Sequence, residues 1–243
     1  LESHKAKGQH LVTTTIEHPC VLEASRYMEK HGWKVTYARA DEQALLDQAE
    51  VKKALSEKTA LVSVMLANNE VGTVEPVAEI ARLAREHGAA THTDATQAVG
   101  RIPVDVKALG VDYLSLSGHK FYGPKGAGAL YVRRGARLTP LLHGGEQEGG
   151  KRSGTLNVPG IVGLGAAAEL AQQEMGERVK HVQALRDRLE RGIFEKIEHC
   201  RLNGHPTLRL PNHVNISIDF VEGEAMMMSL DLQGVACSTG SAC

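Results

Sequence analysis

One short segment combines a lysine with small groups that form hydrogen bonds. Residues 115–126 read Ser-Leu-Ser-Gly-His-Lys-Phe-Tyr-Gly-Pro-Lys-Gly, and they begin at the end of a strand-like run. Ser117 and His119 can bond a phosphate group, and the glycines allow the backbone to approach a ligand closely. Lys120 is therefore a candidate for an imine with pyridoxal phosphate, a cofactor that acts as an electron sink. The alternative is an ordinary loop lysine in water, which this short pattern alone does not exclude.

Polar side chains that follow three other strand-like runs could serve the same cofactor. Asp94 ends one run and could pair with the pyridine nitrogen, which would keep that nitrogen protonated. Gln97 and Asn69 could bond the phenolic oxygen, and His18 could stack on the ring. Open α/β sheets place their ligands at the ends of parallel strands. Asp94 could instead simply cap the turn that follows it.

Two further segments carry candidate reactive groups. The glycine-rich loop at residues 143–157 offers Arg152 and Thr155 as donors for an anion, although a mobile solvated loop would have the same composition. Cys243 follows small polar residues and could be an exposed nucleophile. Cys243 and Cys237 could equally be small buried hydrophobic side chains, and as a pair they make a poor zinc site.

The elements that must position these residues alternate between strands and helices. Helical patterns at residues 19–31 and from Pro76 to Gly88 lie between strand-like runs. This alternation predicts an α/β fold with a mainly parallel sheet covered by helices. The strand-like runs are residues 10–16, 34–38, 59–66, 90–94, 112–116 and 128–132.

The pattern changes after residue 158. A helical spacing runs from Pro159 to about Ile197, and a strand at 214–218 and a short helix at 223–232 follow. These segments resemble the beginning of a second, smaller domain. We expect a large domain at residues 1–158, connecting helices at 159–198 and part of a smaller α+β domain at 199–243.

The composition argues against several functional classes. Of the 243 residues, 42% are apolar and 23% are charged, which favours a folded globular protein. The net charge of −1, from 28 basic and 29 acidic side chains, argues against a dedicated nucleic-acid binder. No uncharged apolar run approaches membrane-spanning length, and four cysteines are too few for a disulfide framework. We therefore expect a cytoplasmic protein without a membrane partner.

Together these segments resemble the cysteine desulfurases of the class-V aminotransferase family. The resemblance implies a pyridoxal-phosphate enzyme of fold type I, similar to aspartate aminotransferase. Six motifs occur in the family's order over nearly the whole chain. They are Glu-His-Pro-Cys-Val-Leu-Glu (17–23), Ala-Asn-Asn-Glu-Val-Gly (67–72), His-Thr-Asp-Ala-Thr-Gln-Ala-Val-Gly (92–100), Ser-Gly-His-Lys-Phe-Tyr-Gly-Pro-Lys-Gly (117–126), Arg-Ser-Gly-Thr (152–155) and Ser-Thr-Gly-Ser-Ala-Cys (238–243).

The resemblance implies a role for each matching residue. Lys120 would hold the cofactor and carry protons, and Thr155 would reach the phosphate of the partner subunit in a homodimer. Cys243 would attack the sulfur of L-cysteine, which leaves L-alanine and a persulfide for a sulfur-acceptor or scaffold protein in iron–sulfur cluster or thio-cofactor assembly. The implied catalytic residues are Lys120, Cys243 and His18. The implied cofactor-binding residues are His18, Asn69, Asp94, Gln97, Ser117, His119, Lys120 and Thr155.

Parts of the family pattern have no counterpart in this sequence. These are an opening strand, a Gly-Thr-Glu phosphate loop and an arginine after the cysteine that binds the substrate carboxylate. Glu146 and Gly149 stand where family members usually have glycine and arginine, which removes an arginine from this loop. We therefore expect a fragment of a longer protein, and we expect the fragment by itself to be inactive as a desulfurase.

Two other functions remain open from the sequence. A selenocysteine lyase, or another class-V lyase or aminotransferase, could work without a cysteine at position 243. A truncated chain could also act without catalysis, as a binding or scaffold partner of sulfur-transfer proteins.

Overall fold

A six-stranded sheet forms the centre of the computed structural model, which describes residues 1–240. The strands are β1 (His10–Thr14), β2 (Lys34–Ala38), β3 (Thr59–Ser63), β4 (Ala90–Asp94), β5 (Tyr113–Ser117) and β6 (Gly128–Val132). They lie in the order β2-β1-β3-β4-β5-β6. Strands β1 to β5 are parallel, whereas β6 runs antiparallel to β5.

Helices form the crossover connections that parallel strands require. The crossover helices are α1 (Pro19–Lys30), α2 (Gln48–Ala54), α3 (Val77–Glu86) and α4 (Val106–Leu109), and two more helices, α5 (Val158–Lys196) and α6 (Gly223–Asp231), follow the large sheet in the chain. Helix α1 begins at Pro19, which suits a first helical turn, and His18 Nδ1 accepts the backbone N–H of Cys20. Asp47 and Asp105 cap α2 and α4 in the same way.

The main hydrophobic core lies between the sheet and α3. One face of this helix is buried, including Val77, Ile80 and Ala84, and the spacing of these residues is that of an amphipathic helix. This face packs in one cluster with Val12 of β1 and Val62 of β3. A fully buried Leu or Val side chain contributes about 1.5–3 kcal/mol of transfer free energy, so this face fixes the sheet against its helices.

A second, smaller cluster ties the long helix α5 to the turn after β5. Phe121 is 3% exposed, and it packs against Ala167 and Ala171 of α5. Residues Gly118–Phe121 form a single 3-10 turn, so Phe121 holds this turn against the helix. The neighbouring Lys120 is therefore placed by packing rather than by a free loop.

The segment after α5 contacts the large sheet through one loop. Strands β7 (Cys200–Leu202) and β8 (Ile216–Ile218) form an antiparallel pair. Between them, Val74 N donates to Leu208 O at 2.9 Å and Leu210 N donates to Gly72 O at 2.8 Å. These backbone hydrogen bonds join the β7–β8 connection to the loop that leads from β3 to α3.

The predicted α/β fold with a mainly parallel sheet is confirmed. The strand-like runs at 34–38, 90–94 and 128–132 match their strands residue for residue. β3 ends at Ser63, earlier than the run at 59–66 suggested, and beyond that end Met65 N donates to a side chain, the carboxyl of Glu17. Helices α2 and α4 and strand β7 were not predicted, since they are short.

The domain boundaries at 158 and 198 stay a prediction. Within residues 1–240, no helix is both long enough and apolar enough to cross a bilayer.

Candidate active site

The carboxyl ends of four neighbouring strands carry most of the candidate residues. In the sheet β1, β3, β4 and β5 are adjacent and parallel, so their carboxyl ends meet at one edge. His18 follows β1, Asn69 follows β3, Asp94 ends β4, and Lys120 follows β5. The fold therefore gathers residues from distant parts of the sequence at one edge of the sheet.

Two side chains fasten the loop after β1 to the loop after β3. Glu17 Oε1 accepts hydrogen bonds from Thr14 Oγ1 and from Met65 N, both at 2.8 Å. Asn68 Nδ2 donates to Ile16 O at 2.9 Å. Burial raises the pKa of Glu17 to about 8, so its carboxyl is mainly protonated at neutral pH. These contacts of Glu17 and Asn68 hold the segment before His18 and the loop that carries Asn69 in a fixed relation, and sequence reasoning missed both residues.

Asp94 is buried at the end of β4, with 8% of its surface exposed. Its Oδ1 accepts the backbone N–H of Thr96 at 2.9 Å, which is the turn cap considered above. A carboxylate has a second oxygen with its own lone pairs, so the cap is compatible with a further hydrogen bond to a ligand. Asp94 lies opposite Ser115 of β5 in the parallel register, which sets it two residues from Ser117 along the neighbouring strand.

Gln97 and Lys120 are joined through Arg101, a residue that sequence reasoning missed. Arg101 Nη1 donates to Gln97 Oε1 at 2.6 Å and to Gln97 O at 2.8 Å. Arg101 Nη2 donates to Lys120 O at 3.2 Å. The four-residue spacing from Gln97 to Arg101, within the stretch of turns that follows β4, was a signal for the first contact. The bridge to Lys120 depends on the packing of two separate turns.

The turn after β5 presents a hydroxyl and an imidazole together. Ser117 Oγ and His119 Nδ1 lie 2.7 Å apart, with Ser117 half-buried and His119 exposed. Gly118 between them is buried, and a Cβ there would lie 2.9 Å from Leu164 Cδ1 and 3.1 Å from Ala127 O. Glycine is favoured at this position, because any Cβ would displace the Leu164 side chain and crowd the Ala127 carbonyl.

His213 is a further residue of this region that the sequence did not predict. Its Nε2 donates to Asn69 O at 3.4 Å, and its buried Nδ1 has no partner among the described residues. Burial lowers the pKa of His213 to about 4, and the charges of Arg101 and Lys120 act in the same direction. The ring is therefore neutral at physiological pH, and it supports the backbone of the Asn69 loop.

A second buried histidine links the strands behind Asp94. His92 Nδ1 lies 2.8 Å from Ser63 Oγ, and His92 Nε2 lies 3.0 Å from Ser115 Oγ. Burial lowers the pKa of His92 to about 4. This neutral ring bridges β3, β4 and β5, so it stiffens the edge on which Asp94 stands.

The remaining candidates are Thr155 and Cys243. Thr155 is exposed on the loop that precedes α5, and in the same loop Arg152 Nη1 donates to Gly154 O. Cys243 lies outside the described residues, as do the two residues before it. Cys237 is a free and exposed thiol.

The residues at the sheet edge fit pyridoxal phosphate chemically. This cofactor presents an aldehyde, a basic ring nitrogen, a phenolic oxygen and a phosphate. The edge offers an amine for the aldehyde, a buried carboxylate for the ring nitrogen and amide groups for the phenolic oxygen. The hydroxyl and imidazole of the turn after β5 suit the phosphate.

Comparison with known proteins agrees with this geometry. Cysteine desulfurase IscS from Dictyoglomus turgidum is 50% identical over 237 residues, which are 98% of this chain and 60% of that protein. Cysteine desulfurase IscS from Methanosarcina thermophila is 49% identical over 241 residues, 99% of this chain and 59% of that protein. The chain thus spans about three fifths of the length of these curated relatives.

Solved structures give the same result for the fold. A NifS-like protein superposes with a TM-score of 0.93 at 40% identity, over 98% of this chain and 65% of that one. DndA from Streptomyces lividans superposes with a TM-score of 0.85 at 34% identity, over 95% of this chain and 65% of that one. The model of the family described as aminotransferase class-V matches residues 1–243, and the chain therefore belongs to the class-V aminotransferase family.

Proposed function

We propose that this chain is the cofactor-binding part of a cysteine desulfurase. The observation that carries the proposal is the placement of His18, Asn69, Asp94 and Lys120 at the carboxyl ends of four adjacent strands. The similarity to proteins named cysteine desulfurase supports the choice of substrate within the family. We take L-cysteine as the substrate and the cytoplasm as the compartment.

Class-V aminotransferases use pyridoxal phosphate, which, when bound, withdraws electrons from the α-carbon of an attached amino acid. Lys120 would hold the aldehyde carbon and would later move protons at the substrate carbons. Asp94 would keep the ring nitrogen protonated, and its burial strengthens this charge interaction. His18 would cover one face of the ring.

Four polar side chains would fix the remaining atoms of the cofactor. Gln97 and Asn69 would donate hydrogen bonds to the phenolic oxygen. Ser117 and His119 would bind the phosphate, and their mutual contact supports this because it holds the hydroxyl and the imidazole side by side.

The sulfur step would belong to Cys243. Its thiolate would attack the sulfur of the bound L-cysteine, which breaks the bond between Cβ and sulfur and forms a sulfur–sulfur bond. A proton is delivered to the carbon, so L-alanine leaves and the persulfide retains the transferred sulfur. A sulfur-acceptor or scaffold protein would then take that sulfur from the persulfide for iron–sulfur cluster or thio-cofactor assembly.

A homodimer would complete the site through Thr155. Exposed apolar side chains lie on both sides of this residue along the chain: Leu141 is 90% exposed, Val158 is 58% exposed and Val162 is 65% exposed. Val158 and Val162 are four residues apart on α5 and share one exposed face, and an exposed apolar face favours a protein interface. Thr155, exposed between Leu141 and Val158, is suited to reach the phosphate of the partner subunit.

The test is turnover with a matched pair of cysteine variants. The protein, expressed with whatever flanking sequence its reading frame encodes, is loaded with pyridoxal phosphate and supplied with L-cysteine and a thiol reductant. We expect equal amounts of L-alanine and sulfide, loss of both in Cys243→Ala, and normal rates in Cys237→Ala. The last variant is the control because Cys237 is an exposed thiol six positions away.

Other outcomes would point to the other functions. Full turnover of L-cysteine by Cys243→Ala would contradict the proposal and favour a lyase that forms no persulfide. Failure to bind pyridoxal phosphate at all would favour a scaffold without catalysis.

A further inference from the structure

The guanidinium of Arg101 contacts two separate parts of the candidate site. It donates to the side-chain oxygen of Gln97 at 2.6 Å and to the backbone oxygen of Lys120 at 3.2 Å. In a third contact, Arg101 donates to the backbone oxygen of Gln97, so the guanidinium contacts both the side chain and the backbone of this residue. Arg101 therefore links the turn after β4 to the turn after β5.

This contact determines the orientation of the Gln97 amide. A guanidinium has only donors, so the atom of Gln97 that faces it must be the oxygen. The amide nitrogen with its two hydrogens must then point away from Arg101. Without Arg101 the amide could rotate by a half-turn and present its oxygen instead, because the two orientations are nearly equal in shape.

The surroundings of Arg101 restrict its movement. Arg101 is half-buried beside a cavity of about 90 Å³, which is also lined by Lys120 and Tyr122. Burial lowers the pKa of Arg101, while Tyr122 opposes the shift. The turn after β4 also lies close to the turn after β5, since a Cβ on Gly100 would lie 3.1 Å from Phe121 Cβ.

We infer that Arg101 is a positioning residue. It holds the Gln97 amide so that the amide N–H groups donate to the phenolic oxygen of the cofactor. It also fixes the turn that carries Lys120. The inference rests on the proposed function, because it requires pyridoxal phosphate bound at Lys120. It concerns a residue that contacts neither the substrate nor the cofactor in this account.

The test is a pH titration of the visible absorption of the bound cofactor. A donor to the phenolic oxygen competes with the proton that this oxygen shares with the lysine nitrogen, so it lowers the titration midpoint. Arg101→Met removes the donors and keeps most of the side-chain volume. We expect the midpoint to rise by about one pH unit, a tenfold change in proton affinity. Arg82→Met, at an exposed position of α3, is the matched control and should leave the midpoint unchanged.

A double-mutant cycle separates orientation from charge, because removal of any nearby cation also shifts the midpoint. Gln97→Ala alone should raise the midpoint as Arg101→Met does, and Arg101→Met should add little to Gln97→Ala. Equal shifts from Arg101→Met in both backgrounds would overturn the inference, as would no shift at all. If far-UV circular dichroism shows that Arg101→Met is unfolded, Arg101→Gln replaces it, since its amide can accept as well as donate. Absence of any cofactor band in the unmodified protein would refute the proposed function itself, and the inference with it.

Discussion

Replacement of Glu17 by glutamine should change how the stability of the protein depends on pH. Glu17 is 4% exposed, and burial raises its pKa from 4.5 to about 8. Asp94 and Glu75, which are also acidic, raise it further. Between the two pKa values the folded protein keeps a proton on Glu17 that the unfolded chain has released. The stabilisation of the folded state by protonated Glu17 is therefore complete below pH 4.5, and it is lost as the pH rises through 8.

The size of the effect follows from the linkage between proton binding and folding. One proton held only by the folded state lowers the free energy of unfolding by about 1.4 kcal/mol for each unit of pH increase. Glu17→Gln retains an acceptor oxygen for Thr14 and Met65 but cannot titrate. Over about two pH units near neutrality, the free energy of unfolding of the variant should therefore rise relative to that of the unmodified protein by up to about 3 kcal/mol.

The assay is urea unfolding, followed by far-UV circular dichroism at a series of pH values. The difference between variant and unmodified protein is the quantity to compare, because His92 and His213 also have shifted pKa values and their contributions cancel in the difference. Glu79→Gln, at an exposed position of α3, is the matched control and should leave the curve unchanged. Parallel curves for Glu17→Gln and the unmodified protein would refute the argument that the buried carboxyl is protonated.

Three further substitutions test other parts of the structure. Gly118→Ala should lower the free energy of unfolding by about 1–3 kcal/mol, because its Cβ would lie 2.9 Å from Leu164 Cδ1; an unchanged urea midpoint would argue against this close approach. Asn68→Ala should destabilise the protein by about 2 kcal/mol, since the buried amide donates to Ile16 O and accepts two backbone N–H groups, and a thermal or urea melt measures this. Asp94→Asn should reduce alanine formation by about 10²-fold or more, because an amide cannot hold the charge of the protonated ring nitrogen; a rate within a factor of about three would contradict the role of Asp94.

Periodicity in the sequence predicted the main elements because their apolar patterns are strong. The run at 90–94 and the α3 pattern agree with the structure, since a buried strand and an amphipathic helix leave distinct spacings. The short helices α2 and α4 were missed because each depends on a cap, from Asp47 and Asp105, rather than on a pattern. The order of the strands cannot be read from local patterns at all.

The candidate site was only partly predictable for the same reason. Lys120 and Asp94 were found because each is a polar residue at or shortly after the end of a strand-like run, which is a local signal. The roles of Glu17, Arg101 and His213 depend on contacts between segments far apart in the sequence, such as Glu17 with Met65. No spacing rule contains that information.

The most direct test of the account is the site of covalent attachment of pyridoxal phosphate. The protein is incubated with the cofactor, the bond is fixed by borohydride reduction, and the labelled peptide is identified by mass spectrometry after proteolysis. We predict one phosphopyridoxyl group, on Lys120, and no label on that peptide in Lys120→Ala. Stoichiometric label on Lys125 or any other lysine, with Lys120 unmodified, would contradict this prediction.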